Sequence, residues 1–239
     1  MRIVSIDSSL GTQLVVAGAD PGPDGLRLTV LAQAEQADAR RHAESLGPML
    51  QAVLTDPEVA GQDLDAVVAA TGPAPFTGLR AGLVAARALG RARGLAVHGV
   101  PSLDAVARAA LDELADDGAQ GPAAGATVLV ATDARRSEVY TARYRAKGPD
   151  DVDRLGPIEV LTPERAAQAG PADAVAGSGA ALYDGIAQGR RVLAPVSGDA
   201  RTQVRIAVTR LAQGIVLGTE PLYLRHADVQ MPAGRKRVR

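Results

Sequence analysis

Apolar residues come first in short runs and only later at helical spacing. Arg2–Ile6, Gln13–Gly18 and Leu26–Ala32 are rich in Val, Leu and Ile. Turn formers separate them, Ser9-Leu10-Gly11 and Asp20-Pro21-Gly22-Pro23, so the pattern predicts three strands in a meander. Around Ala39–Leu54 the spacing lengthens, and Leu46, Met49, Leu50 and Val53 share one helical face. Pro48 inside that stretch predicts a kink or a late start. Asp65–Thr71 is an apolar run ending at Gly72-Pro73, a buried strand feeding a loop. A second helix is expected over Phe76–Arg93, stopped by Gly94. Leu95–Val100 makes a fifth strand, and Ser102 is expected to cap a third helix running to about Leu114.

After the acidic, then Gly-, Pro- and Ala-rich stretch Ala115–Gly125, the pattern restarts. Ile3–Asp7 followed by Gln13–Gly18 matches Leu129–Asp133 followed by Glu138–Tyr144: an apolar strand ending in Asp, a polar turn, a returning strand. Ala174–Gly177 leading into a helix echoes Ala66–Gly72 leading into the second helix. The repeated order implies an internal duplication. The expected fold class is therefore α/β, two mixed sheets flanked by helices, the order of the ribonuclease-H-like half-domain and its duplicated actin-like form. The expected division is a first lobe over 1–114 joined by a final helix at 202–217, a smaller second lobe over 126–200, and a flexible basic tail over 226–239.

Composition narrows the function classes. The net charge is −1 with both signs interspersed, so the surface lacks the basic excess that phosphate-driven binding needs. With one Phe and four Tyr there is little material for a base-stacking platform. No cysteine is present, which removes thiol nucleophiles, disulfides and cysteine metal sites and fits a reducing cytosol. No segment approaches the ~18 uncharged apolar residues of a membrane helix, and Met1–Asp7, with no long apolar stretch, is not expected to act as a signal peptide. The expected location is cytoplasmic.

Four stretches carry a family resemblance. Thr71-Gly72-Pro73-Ala74-Pro75-Phe76-Thr77-Gly78-Leu79-Arg80-Ala81-Gly82, continuing to Gly99-Val100-Pro101-Ser102-Leu103-Asp104, resembles the G-P-G-S-F-T-G-L-R-x-G and G-V-S-S-L pattern of the TsaB (YeaZ) family. Ile6-Asp7-Ser8-Ser9, Ala131–Tyr140 and Glu220-Pro221-Leu222-Tyr223-Leu224-Arg225 follow in the family's order. Ala74-Pro75 stands where the family usually has Gly-Ser, so the loop is stiffer here and the hydroxyl of that Ser has no counterpart. The resemblance implies a non-catalytic subunit in the formation of N6-threonylcarbamoyladenosine at position 37 of tRNAs reading codons that start with A. It implies a TsaD-like catalytic partner, a TsaE-like ATPase joining them, and a homodimer through a similar surface. Transfer RNA is met only through the complex. No cofactor is the chain's own; a nucleotide would belong to the interface with the TsaD-like subunit. The alternatives are a homodimeric actin-like binding module or a glycoprotease-like enzyme.

The chemistry-bearing residues fit the non-catalytic reading. TsaD-like relatives hold a metal with H-x-x-x-H on a helix, which sets both rings on one face; four places after His42 stands Leu46. Asp7 and Asp133 end the first strand of each lobe, where actin-like ATPases hold a cation. Their hairpins, Ser8-Ser9-Leu10-Gly11 and Ala134-Arg135-Arg136-Ser137, lack the glycine that lets an amide approach phosphate. Asp7, Ser8, Asp133, Gly177 and Gly179 are thus only weak candidates for cofactor contact, and strand-end turns are the expected role of the aspartates. No second acid accompanies either Asp for two-metal hydrolysis, and no G-x-S-x-G elbow is found. In the second helix Gly78, Gly82, Ala86 and Gly90 form a smooth stripe flanked by Leu79 and Leu83. The spacing alone fits packing on the chain's own sheet as well as it fits a partner helix. The family resemblance favours the partner, with His42, Leu46, Met49, Leu50, Val53, Gly78, Leu79, Gly82, Leu83 and Ala86 as the expected interface.

Overall fold

The computed structural model describes residues 1–38, 41–116 and 125–225. The basic tail, and most of the stretch read as a linker, lie outside them. Strands β1 (Arg2–Asp7), β2 (Thr12–Gly22) and β3 (Gly25–Gln36) form the antiparallel meander. After α1 (His42–Leu54), β4 (Ala66–Ala70) joins parallel to β1, and after α2 (Phe76–Arg93), β5 (Ala96–Val100) joins parallel to β4. The first sheet runs β3-β2-β1-β4-β5.

The second lobe repeats the plan. Beyond α3 (Ser102–Asp116) come β6 (Thr127–Arg135), β7 (Glu138–Lys147), β8 (Asp151–Arg154) and β9 (Glu159–Leu161). Then follow α4 (Pro163–Ala167), β10 (Ala174–Ala176), α5 (Ser178–Leu182) and β11 (Arg191–Val192). The sheet order is β11-β10-β6-β7-β8, with β10 parallel to β6 and β9 on β7. The α/β duplication expected from the sequence is therefore the architecture.

Alternation along the central strands assigns each sheet two buried faces. Val4 and Ile6 meet Leu46, Leu79 and Leu83 of α1 and α2, whereas Ile3 meets Val204, Ile206 and Ala207 of α6 (Ala200–Ala212). Val128 and Val130 meet Leu103, Val106 and Leu111 of α3; Leu129 and Ala131 meet Ala166, Ala180 and Ile186. Helices α3 and α6 thus lie between the sheets. Helix α3, read from the sequence as part of the first lobe, spends most of its apolar face on the second sheet; only Ala105 joins the α6 core.

Two further local readings change. Helix α6 ends at Ala212, five residues earlier than the apolar run suggests. Gly214 takes φ +74° and Ile215 N–H returns to Arg210 O, closing the last turn. Ser102 is the first helical residue of α3, and its buried Oγ has no hydrogen-bond partner, so it does not cap the helix. Pro75, standing in the place of the family's Ser, is the N-cap residue of α2, and its ring has no oxygen to accept a bond from the first turn. Gly94 closes α2 in the left-handed conformation as read, at φ +66°.

A charge network fills the seam between the lobes. Arg210 Nη2 lies 2.9 Å from Asp104 and 2.8 Å from Asp151, both carboxylates nearly sealed from solvent. Arg205 Nε lies 2.8 Å from Asp150 and pairs also with Asp112, while Arg108 donates to the carbonyls of Gly148 and Asp151. Asp150 Oδ2 also accepts from Leu26 N–H of the β2–β3 hairpin. Burial pushes the Asp104 carboxyl up, opposed by the Arg210 charge. Buried charges persist only when paired, so severing one link would strand its partner at a cost of about 3–5 kcal/mol.

Candidate functional site

The sequence nominated two places, the α1–α2 face and the cleft where the strand-end aspartates lie. On the first, most of the residues expected at the interface lie in the chain's own core. His42, Leu46, Val53, Gly78, Leu79, Gly82, Leu83 and Ala86 are all buried within the chain. His42 Nδ1 lies 2.9 Å from Thr12 Oγ1. A Cβ on Gly78 would come within 2.6 Å of His42 Nε2 and of Ser8 O, and one on Gly82 would collide with Ser8 Oγ. The smooth stripe therefore exists because the β1–β2 turn and α1 press against it from inside. Met49 and Leu50 are half-buried at the edge of that core. The outward face of α2 is the opposite one: Arg80, Val84 (65% exposed) and Ala88, with Ala81 and Ala85 half-buried beside them. Sequence reasoning missed it, although Ala81, Val84, Ala85 and Ala88 also recur at helical spacing.

In the cleft, Asp7 is 3% exposed and committed to its own lobe. Its Oδ1 accepts from Ser9 N–H at 2.7 Å and from Ser9 Oγ at 2.6 Å, and its Oδ2 accepts from Gln203 Nε2. Burial, helped by the Asp199 charge, pushes this carboxyl up against the pull of the Ser9 bonds. Ser8 Oγ donates to Gly78 O at 2.8 Å. Asp133 repeats the turn, accepting from Arg135 N–H at 2.8 Å and pairing with the Arg135 guanidinium at 3.2 Å. Gly177, at φ +105°, and Gly179 both press on Ala131, where a Cβ on Gly177 would overlap Ala131 O. They are packing glycines of the β10–α5 turn. The space bounded by Ser9, Pro73–Pro75, Ser102, Asp133, Ser178 and Gly198 amounts to about 20 Å³, room for a water molecule.

The stretch after α6 crosses outside this cleft. Arg80 donates to Tyr223 OH at 2.9 Å and lies 5.2 Å from the ring centroids of both Phe76 and Tyr223. Leu222 N–H donates to Thr71 O at 2.9 Å. Arg225 donates to Ala134 O at 2.6 Å and pairs with Glu138 at 3.0 Å. The hairpin it grips holds Arg135, Arg136 and Ser137 at φ +65°, +55° and +57°. That is three successive side-chain-bearing residues in the left-handed region, each costing roughly 1–2 kcal/mol. The Glu220–Arg225 motif was visible in the sequence, but no local signal says what it touches.

Among the described residues no group of His, Cys, Asp and Glu could hold a metal ion, and no helix is long and apolar enough to cross a membrane. The family described as TsaD, tRNA N6-adenosine threonylcarbamoyltransferase, matches residues 29–189. An uncharacterized protein of Mycobacterium tuberculosis is 43% identical over 176 residues, 74% of this chain and 72% of the relative. The tRNA threonylcarbamoyladenosine biosynthesis protein TsaB of Escherichia coli is 34% identical over 61% of this chain and 55% of its own length. The TsaB of Bacillus subtilis is 28% identical over 57% and 52%. A crystal structure from Pseudomonas aeruginosa, described as an uncharacterized protein similar to the peptidase YeaZ, superposes with a TM-score of 0.73 at 26% identity. It covers 94% of this chain and 99% of that one.

Proposed function

The chain belongs to the TsaB (YeaZ) family, and we propose that it acts in tRNA threonylcarbamoyladenosine biosynthesis as a non-catalytic subunit supporting a TsaD-type transferase. The observation that carries this reading is the match to two proteins named for that pathway, joined to a family match of the transferase type. The residues support the non-catalytic part. Asp7 spends its oxygens on Ser9 and Gln203, Asp133 spends its own on Arg135, and the positions of a helical metal pair, His42 and Leu46, are both sunk in the core. A metallopeptidase has no open metal pair at these positions, and an independent ATPase would meet Asp7 buried and Asp133 paired with Arg135.

The partner contact is the outward face of α2, centred on Val84, together with the half-buried Met49 of α1. The inward glycine stripe contributes by letting the helix sit low on the sheet. A TsaE-like ATPase joins the pair, a homodimer uses the same face, and any nucleotide belongs to the shared interface. The setting is cytoplasmic. Two measurements test this. Depletion of the protein should lower threonylcarbamoyladenosine in tRNAs reading codons that start with A; an unchanged level by mass spectrometry rejects the pathway. Val84→Arg should abolish co-elution with the TsaD-type subunit at an unchanged melting temperature, since it adds charge to an exposed position that touches no core. Retained co-elution would move the interface elsewhere.

A further inference from the structure

We propose that the stretch from Gly214 to Arg225 is a strap that holds the mouth of the interlobe cleft shut, so that the chain keeps one fixed lobe arrangement instead of opening and closing. The strap reaches both walls of the cleft. On the first lobe it hydrogen-bonds Thr71 through Leu222 and seats the Tyr223 ring 5.0 Å from Phe76 under Arg80. These contacts flank Pro73–Pro75, which line the cleft. On the second lobe Arg225 reaches Ala134 O and Glu138, flanking the cleft-lining Thr132, Asp133 and Arg135.

Upstream the strap is anchored. Leu217 O accepts from Gly99 N–H on the edge strand β5, where a side chain on Gly99 would overlap Gly218 O, and Arg87 donates to Thr219 O at 2.8 Å. A second set of links between the lobes lies beside the strap: Arg205 pairs with Asp150 and Arg210 with Asp104 and Asp151, and Arg210 and Asp151 line one cavity with Ile215–Gly218 and Leu222. Motion that parts the walls of the cleft would have to break the contacts of Leu222 and Tyr223 on one lobe or of Arg225 on the other, because the strap holds both. This inference needs no partner and stands apart from the functional reading.

The chain has no cysteine, so cysteines introduced at the exposed positions Thr77 and Glu159 can carry spin labels on the two lobes for pulsed electron–electron distance measurement. The otherwise unaltered chain should give a single narrow distance distribution. Tyr223→Ala with Arg225→Ala should broaden it toward longer distances, with the circular dichroism spectrum retained. Arg225→Gln, which keeps most of the packing and removes the ion pair, should broaden it less and speed amide exchange in residues 134–138. Two distances in the unaltered chain, or a distribution unmoved by the double substitution, would overturn the proposal.

Discussion

Replacing Gly82 by alanine tests how α2 is seated. The new methyl group points at the β1–β2 turn, where it collides with Ser8 Oγ and lies 3.1 Å from Ser8 Cβ. Ser8 can swing its hydroxyl away, but it then gives up the buried bond to Gly78 O, and its Cβ still presses on the methyl. Breaking that buried bond costs about 1–3 kcal/mol, and overpacking about 1–3 kcal/mol more. Against this, alanine in place of glycine favours the helix by up to ~1 kcal/mol. The sum is a destabilisation of roughly 1–5 kcal/mol, and each kcal/mol lowers the melting temperature of a chain this size by about 2–4 °C. Thermal melting followed by circular dichroism reads it directly. Ser8→Ala combined with Gly82→Ala removes the colliding hydroxyl, so the pair should cost less than the sum of the single changes. A Gly82→Ala protein melting at or above the parent temperature would refute the inward packing.

Gly177→Ala should destabilise by about 1–3 kcal/mol in denaturant titration, because φ +105° strains any side chain and the methyl overlaps Ala131 O; an unchanged midpoint would contradict it. Ser102→Ala should be neutral or slightly stabilising, since its buried hydroxyl has no partner, whereas a drop of about 1 kcal/mol would restore it as a cap. Asp7 has a folded pKa raised above its ordinary 3.8, chiefly by burial. The native state therefore takes up the proton first, and the stability owed to this group rises as pH falls through the folded value, levelling off below 3.8. The stability difference between the parent and Asp7→Asn should shift in the parent's favour from neutral pH toward pH ~4; a pH-independent difference would reject the assignment.

Much of the fold was legible because it rests on local rules. Period-two alternation in Ile3–Ile6 and Val128–Ala131, the recurrence of a strand ending in Asp before a hairpin, and Gly94 as a helix stop all follow from backbone and side-chain geometry within a few residues. The family was legible too, because its motifs are contiguous. What tertiary structure alone decided is which surface each smooth or apolar stripe meets. Helix α2 carries small residues on two sides, Gly78–Gly82–Ala86 and Ala81–Ala85–Ala88, and spacing says only that something approaches closely. The neighbour of the first set turned out to be Ser8, about seventy residues away in the chain. Helix α3 presents an apolar face that either sheet could cover, and packing gave it to the second. Apolar residues 215–217 fit a helix by periodicity, yet Gly214 turns the chain out of it. The strap shows the same limit: Tyr223 and Arg80 lie 143 residues apart, and no pattern along the chain records that their side chains meet. Contacts of that kind depend on how both lobes fold around α3 and α6, because burying apolar faces is non-directional and leaves the choice of partner to the shape of the whole.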